Sequence, residues 1–320
     1  MNLSLVGVFP VLPTPFRDDG APDVVGLRTL VHYLLRCGVD GMTFPGVASE
    51  VSTLNEAERL QLAALVLHTV AGRVPVVIGV SSADTGTTEQ LARAAAGLGA
   101  AALMVAAPPD VADVAGQIER LRTLTEAVPG IPLMLQNVPP PVGAGLAPAA
   151  LLEILRAVPA VRYVKEEALP SGQRLSEVLA QAPPTLAGVL GGAGGRYITD
   201  ELRRGACGTM PAIELAEVHV ALYAAHRDGD AAAVRKLFTR MLPILNIQAV
   251  FRWSLTKHVL QRRGLIASTR QRIAGPRLDA LDAQDVDAFL DDLRDLLLPP
   301  AAITRVVAEG AEEGAADRHA

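Results

Sequence analysis

Lysine is nearly missing from this chain: of 29 basic residues only Lys165, Lys236 and Lys257 are lysine. Positive charge is otherwise written as arginine, so each lysine asks for a specific reason. Aromatics make up 3% of the residues, with a single tryptophan, which leaves the core to aliphatic side chains. Cysteine occurs twice, at Cys37 and Cys207, without the spacing of a metal or redox pair, which fits reduced core residues of a cytoplasmic protein. The histidines, at 32, 68, 219, 226, 258 and 319, join no cysteines or carboxylates at ligand spacing, so no metal is expected. Basic charge is not in excess, and a net charge of -5 argues against a nucleic-acid partner. No apolar run is long enough to span a bilayer. The opening stretch Met1-Asn2-Leu3-Ser4-Leu5-Val6-Gly7 has no basic region, and Pro10, Pro13 and Pro15 break any apolar one, which predicts no signal peptide.

What the chain does have is an alternation of two periods. Short, nearly all-apolar runs predict strands over 3–9, 39–44, 74–79, 101–106, 131–136, 161–165, 185–190 and 206–210. Between and after them, helical periodicity predicts helices over 23–37, 55–70, 84–98, 113–127, 147–157, 171–181, 196–204 and 213–227. Asn55, followed by Glu56 and Glu58, is a natural helix start. Strands apolar on both faces and separated by helices imply a parallel sheet with a covered outer face. Eight such units predict an α/β fold, a (β/α)8 TIM barrel. The rival, an open doubly wound sheet, wants a Gly-x-Gly-x-x-Gly after the first strand, and none is there. The expected division is a barrel over 1–228, a helical extension over 229–298 with helices at 231–243, 246–263 and 284–296, and a loose tail over 299–320.

The most informative stretch is Val161-Arg162-Tyr163-Val164-Lys165-Glu166-Glu167. Strand alternation places Val161, Tyr163 and Lys165 on one face. Burial disfavours a charged amine and favours its neutral, nucleophilic form, which is what Schiff-base chemistry needs. The competing reading is a lysine that snorkels to solvent or pairs with Glu166 or Glu167. In a closed barrel the chemistry collects just past the strand ends. There the chain places Gly46-Val47-Ala48-Ser49-Glu50, Pro108-Pro109-Asp110, Gln136-Asn137-Val138-Pro139, Lys165, Gly191-Gly192-Ala193-Gly194-Gly195 and Met210-Pro211.

Four motifs carry a resemblance: Pro10 to Phe16 as Pro-x-x-Pro-Thr-Pro-Phe, Gly46 to Glu50 backed by Leu54-Asn55-Glu56-Ala57-Glu58-Arg59, Gln136-Asn137-Val138-Pro139, and Val164-Lys165-Glu166. In this order and spacing, over about residues 5 to 297, the chain resembles the dihydrodipicolinate synthase / N-acetylneuraminate lyase family. The resemblance implies a class I mechanism without metal or cofactor, in which Lys165 forms a Schiff base with a 2-keto acid. It also implies a homotetramer, a dimer of dimers. Backbone N–H groups of Val47, Ala48 and Ser49 would take the substrate carboxylate, since a backbone donor does not depend on its side chain. Gly192, which would give room for substrate, and Met210, at the end of the last strand, complete the expected substrate-binding set.

The chain also departs from the family. Val47 and Ala48 stand where the synthase has two threonines, Gln136 where the family has its catalytic tyrosine, and Pro108-Pro109-Asp110 where it has Pro-Tyr-Tyr. The synthase's substrate-binding arginine falls in Pro139-Pro140-Pro141. A threonine–tyrosine–tyrosine proton relay cannot be built from these residues. Gln136 opposite a Lys-x-Glu sequence resembles instead the branch that dehydrates 2-keto-3-deoxy sugar acids such as 2-keto-3-deoxyarabonate. The candidate catalytic set is therefore Lys165, Gln136 to orient a hydroxyl or water, and Tyr163 as a replacement phenol. Dehydration or retro-aldol cleavage is the expected reaction. A synthase joining pyruvate to an aldehyde, and a non-catalytic binder of keto acids, are the alternatives.

Overall fold

The structure is a computed structural model that describes residues 4–111 and 113–316. In chain order its elements are β1 (Gly7–Val8), α1 (Val24–Cys37), β2 (Met42–Phe44), α2 (Glu56–Val70), β3 (Val76–Gly79), α3 (Thr85–Gly97), β4 (Ala102–Ala106), α4 (Val114–Ala127), β5 (Leu133–Asn137), α5 (Pro148–Ala157), β6 (Val161–Glu166), α6 (Ser171–Ala180), β7 (Gly188–Gly191), α7 (Ile198–Arg203), β8 (Gly208–Thr209) and α8 (Ala216–Arg227), followed by α9 (Ala231–Arg262), α10 (Ala280–Asp291) and α11 (Pro300–Ala316). The strands form one parallel sheet in the order β1-β8-β7-β6-β5-β4-β3-β2. Val11 bridges both Thr43 and Ala212 in parallel sense, so the sheet's two ends meet: this is the expected (β/α)8 barrel.

By contacts the chain separates into two units, one of Met1–Gly7 with Pro75–Met210 and the other of Val8–Val74 with Pro211–Ala320. In the first, β3 to β8 are buried almost throughout, because aliphatic side chains on both strand faces find cover. Register pairs Gln136 with Lys165, Asn137 with Glu166, and Glu166 with Gly191, so the polar strand ends lie side by side. The helices start where the sequence offers an acceptor: Asp84 takes the Thr87 N–H at 2.6 Å and Asp113 that of Gly116 at 2.7 Å.

The second unit is tied together by a buried ion pair. Glu50, held in the left-handed region at φ 56, pairs with the Nζ of the fully buried Lys257. Its other oxygen accepts the Arg272 and Ile273 N–H groups, both at 2.8 Å, and Arg272 reaches Glu58 at 2.6 Å. Asn55 and Glu58 form the capping box that starts α2.

Two expectations about the C-terminal third change. The helices expected at 231–243 and 246–263 are one, α9: Pro243 is carried inside it, and the non-helical residue is Arg252, at φ 34 and ψ -102. The part of the expected loose tail over 300–316 is α11, and 317–320 lie outside the described residues. α11 packs on α1 through buried Ile303 and Val306, and a Cβ on Gly310 would stand 2.5 Å from the Thr29 hydroxyl. Alanines and glycines at helical spacing let the two backbones approach, a signal that composition alone reads as disorder.

Lys257→Ala leaves Glu50 buried without its cation, and removal of one partner of such a pair costs about 3 kcal/mol or more. Denaturant unfolding checks this: the variant is expected to lose at least that much stability, and a loss under about 1 kcal/mol contradicts the anchoring role.

Candidate active site

β6 delivers its side chains in alternation. Lys165 is buried, and its Nζ lies 3.3 Å from Oε2 of Glu167, whose side chain is 13% exposed. From the adjacent strand β5, the Gln136 amide donates to the same Oε2 at 2.6 Å, and the Ala193 N–H, past the end of β7, donates to Oε1 at 3.0 Å. Burial pushes the Glu167 carboxyl up, but the Lys165 charge, the Gln136 amide and the Ala193 N–H outweigh it, and the net shift is downward. Glu167 is thus held as a carboxylate at neutral pH, joined to the amine and to the amide. Gly192 makes room for it: a Cβ there would stand 2.5 Å from the Glu167 Cγ. Met210 is buried, and its N–H donates to the Gly191 carbonyl at 2.9 Å.

The phenol of Tyr163 is directed elsewhere. It is buried and accepts the Leu5 N–H at 3.1 Å, while the carboxylate at Lys165 is that of Glu167. Reading the residues did not single out Glu167 for that part, although extending the alternation Tyr163, Lys165 by one step names it.

Behind this set, on the face turned to the helices, lie two further buried carboxyls. Glu166 accepts both the Asn137 amide, at 2.9 and 3.0 Å, and the Ala168 N–H at 2.8 Å, with the Arg174 Nε at 3.4 Å. Burial wins there, and its carboxyl is shifted upward. Glu201 of α7 accepts the Ser171 hydroxyl at 2.7 Å, while its Oε2 is buried with no hydrogen-bond partner among the described residues. Burial, reinforced by the charges of Glu167, Asp200 and Glu166 and eased by Ser171, raises the Glu201 carboxyl to about 7.

Val47, Ala48 and Ser49 lie in the second unit, where they form a 3-10 turn after β2. The Ser49 hydroxyl donates to the Leu12 carbonyl and accepts the Gly46 N–H at 2.9 Å. Trp253 Nε1–H holds the Val47 carbonyl at 2.9 Å, and the Thr14 hydroxyl holds that of Ser49 at 2.7 Å. The turn is fixed by its carbonyls, by one hydroxyl and by the Ser49 N–H, which donates to the Gly46 carbonyl at 3.0 Å and so, unlike the expectation, is already engaged within the turn. Among the described residues no group of His, Cys, Asp and Glu could hold a metal ion, and no helix is long and apolar enough to cross a membrane.

The profile of the Dihydrodipicolinate synthetase family matches residues 4–286. A 4-hydroxy-tetrahydrodipicolinate synthase of Stenotrophomonas maltophilia strain K279a is 37% identical over 194 residues, 60% of this chain. That match spans 64% of the relative's length, just under two thirds. An L-2-keto-3-deoxyarabonate dehydratase of Azospirillum brasilense is 29% identical over 277 residues, 85% of this chain and 89% of that protein. The crystal structure of a dihydrodipicolinate synthase from Rhodopseudomonas palustris superposes with a TM-score of 0.85 at 28% identity, over 92% of this chain and 100% of that one.

A carboxyl whose pKa is raised on folding favours the folded state while it is protonated, and that contribution fades as pH rises through the folded value. With Glu201 at about 7, wild type is expected to lose on the order of 3 kcal/mol between pH 5 and pH 8 from this group. Glu201→Gln removes the dependence. Urea unfolding at the two pH values checks this, and an equal pH dependence in both proteins contradicts the assignment.

Proposed function

The chain belongs to the dihydrodipicolinate synthetase family, and on that premise we propose that it is a metal-independent Schiff-base lyase that dehydrates a 2-keto-3-deoxy sugar acid. One observation carries the reading: Glu167 is shared between Lys165 and Gln136, at the strand ends where the synthase's tyrosine relay is missing. The amine of Lys165 adds to the C2 carbonyl, and loss of water leaves a protonated imine. That imine is the electron sink. Glu167 takes a proton from C3, and the electron pair moves into a C2–C3 enamine. The enamine expels the C4 hydroxyl, which takes the proton back from Glu167 and leaves as water. Hydrolysis of the imine then frees Lys165. Gln136 does not titrate, so its part is to hold Glu167 and orient the hydroxyl or water.

The Azospirillum relative, matched over most of both chains, bears a name of this reaction class. The Stenotrophomonas relative bears the synthase name and supports the second reading, condensation of pyruvate with an aldehyde. Retro-aldol cleavage begins from the same imine, but there the base takes the proton of the C4 hydroxyl, a C4 carbonyl forms, and the C3–C4 pair moves into the C2–C3 enamine. A homotetramer, carried over from the family resemblance, and a cytoplasmic location, argued from the two unpaired cysteines, complete the proposal, and sedimentation in dilute solution tests the assembly.

Borohydride with pyruvate or a 2-keto-3-deoxy acid is expected to add a stable mass to the Lys165 peptide of wild type and none to Lys165→Ala. No adduct on wild type contradicts the Schiff-base step. In a screen of five- and six-carbon 2-keto-3-deoxy acids, loss of water identifies the dehydratase and release of pyruvate an aldolase. Ordinary turnover of pyruvate with aspartate semialdehyde would favour the synthase instead. Glu167→Gln is expected to lower turnover by about 10²–10⁴-fold, the usual range for a general base. Gln136→Ala should cost about 10²-fold with the adduct retained.

A further inference from the structure

The proton transfer above uses the inner face of the β6 and β7 ends and leaves Glu201 without a part. Its position is unusual for a carboxyl with nothing to do. Gly191 ends β7 and Gly192 follows it, and the Cβ positions of the two meet different carboxyls. A Cβ on Gly192 would stand 2.7 Å from the Glu167 carboxylate carbon, and a Cβ on Gly191 would stand 1.8 Å from Glu201 Oε2. The two carboxyls thus flank the same two-glycine backbone from either side, with no side chain between them. Substitution at either glycine would displace one of them.

The surroundings of Glu201 are otherwise neutral or already paired. From α6, Ser171 donates its hydroxyl to Oε1, and Arg174 faces Glu166. From α7 itself, Asp200 is held by the Nε of Arg204, at 2.9 and 3.0 Å. From β6, Glu166 and Glu167 add negative charge, and Lys165 lies beyond them, against Glu167. Among the described residues no hydrogen bond or ion pair joins the Glu201 carboxyl to a cation. Its Oε2 is enclosed and unpartnered among the described residues, which favours the neutral acid.

We propose that Glu201 is a positioning residue that acts through charge: it holds a proton behind β7 while the imine forms, and its ionisation strengthens the hold of Glu167 on the Lys165 ammonium. The inference rests on the Schiff-base reading. Only a proton moves in this step, from the Glu201 carboxyl to solvent, and no bond to carbon changes. The sign follows from charge. A second carboxylate behind the glycine pair adds negative potential at Lys165 and favours the ammonium over the free amine. The raised value of about 7 for this carboxyl places the change inside the working pH range. As pH rises through that value, the new charge weighs against imine formation. Imine formation is therefore spread over a wider pH range than a single titrating group would give.

Pyruvate is the probe. Borohydride trapping at Lys165, read as adduct mass against time from pH 5 to pH 10, gives the pH midpoint of imine formation. In Glu201→Gln the midpoint is expected to fall by about half a pH unit, which is about threefold faster trapping on the acid side, and the curve should narrow to that of one group. Ser171→Ala removes the hydrogen bond that favours the ionised acid. It should keep Glu201 protonated to higher pH and speed trapping in the same direction near pH 7.5. If both variants fold and trap pyruvate on the wild-type curve, Glu201 is only structural and the proposal fails. If Glu201→Gln does not fold, Ser171→Ala alone decides by the same criterion. Absence of any adduct in wild type is a different result, and it overturns the Schiff-base reading rather than the part given to Glu201.

Discussion

Charge is removed from water at the end of β6, and the structure around that point follows from the need to balance it. Lys165 is buried on a strand, where an unpaired ammonium would be strongly unfavourable. Glu167, two residues on and on the same face, supplies the opposite charge at 3.3 Å. A buried carboxylate in turn needs donors, and Gln136 from β5 and the Ala193 N–H past β7 provide them. Three neighbouring strand ends are thereby tied to one carboxylate. The parallel register that aligns Gln136 with Lys165 makes the arrangement possible.

Two of the chain's three lysines are buried, and their environments separate their parts. Lys257 is fully buried, pairs with Glu50 and also donates to the Arg270 carbonyl, and it lies 4.3 Å from the centre of the Phe16 ring. Burial lowers its affinity for a proton, and Glu50 opposes the shift. Its cation is enclosed on every side that these contacts describe, which suits an anchor between the β2 turn and the segment before α10. Lys165 has one carboxylate partner, and that partner is shared with an amide able to hold a hydroxyl or water. A shared carboxylate can exchange its hydrogen bonds for those of a substrate; the crowded pair at Lys257 has none to give up.

The glycines at the end of β7 show how a loop sequence without chemistry of its own can place chemistry. Read along the chain, Gly191 to Gly195 suggests space for a ligand. In the structure, part of that space is taken up by the chain's own carboxyls, Glu167 against Gly192 and Glu201 against Gly191. Side chains at these positions would separate the two acids. Their absence couples them through a short stretch of backbone, in surroundings where charges are poorly screened.

Local pattern was enough for the architecture. The switch between period two and period 3.6 locates eight strands and their helices, and the scarcity of lysine singles out Lys165. Extended by one step the same alternation names Glu167, which was not among the expected catalytic residues. Pattern misjudged α9 and α11, because Pro243 and the alanine- and glycine-rich end read as breaks when their partners are unknown. Packing on α1 supplies the burial that turns 300–316 into a helix. Tertiary structure alone decided where the Tyr163 phenol and Glu201 stand. Tyr163 shares a face with Lys165, yet its hydroxyl bonds the backbone of Leu5, 158 residues away in sequence. Glu201 comes from a six-residue helix with no motif to mark it. Periodicity reports which face a residue occupies, since that is set by the backbone around it. Which atoms it meets there is set by distant segments, and so is the charge it carries.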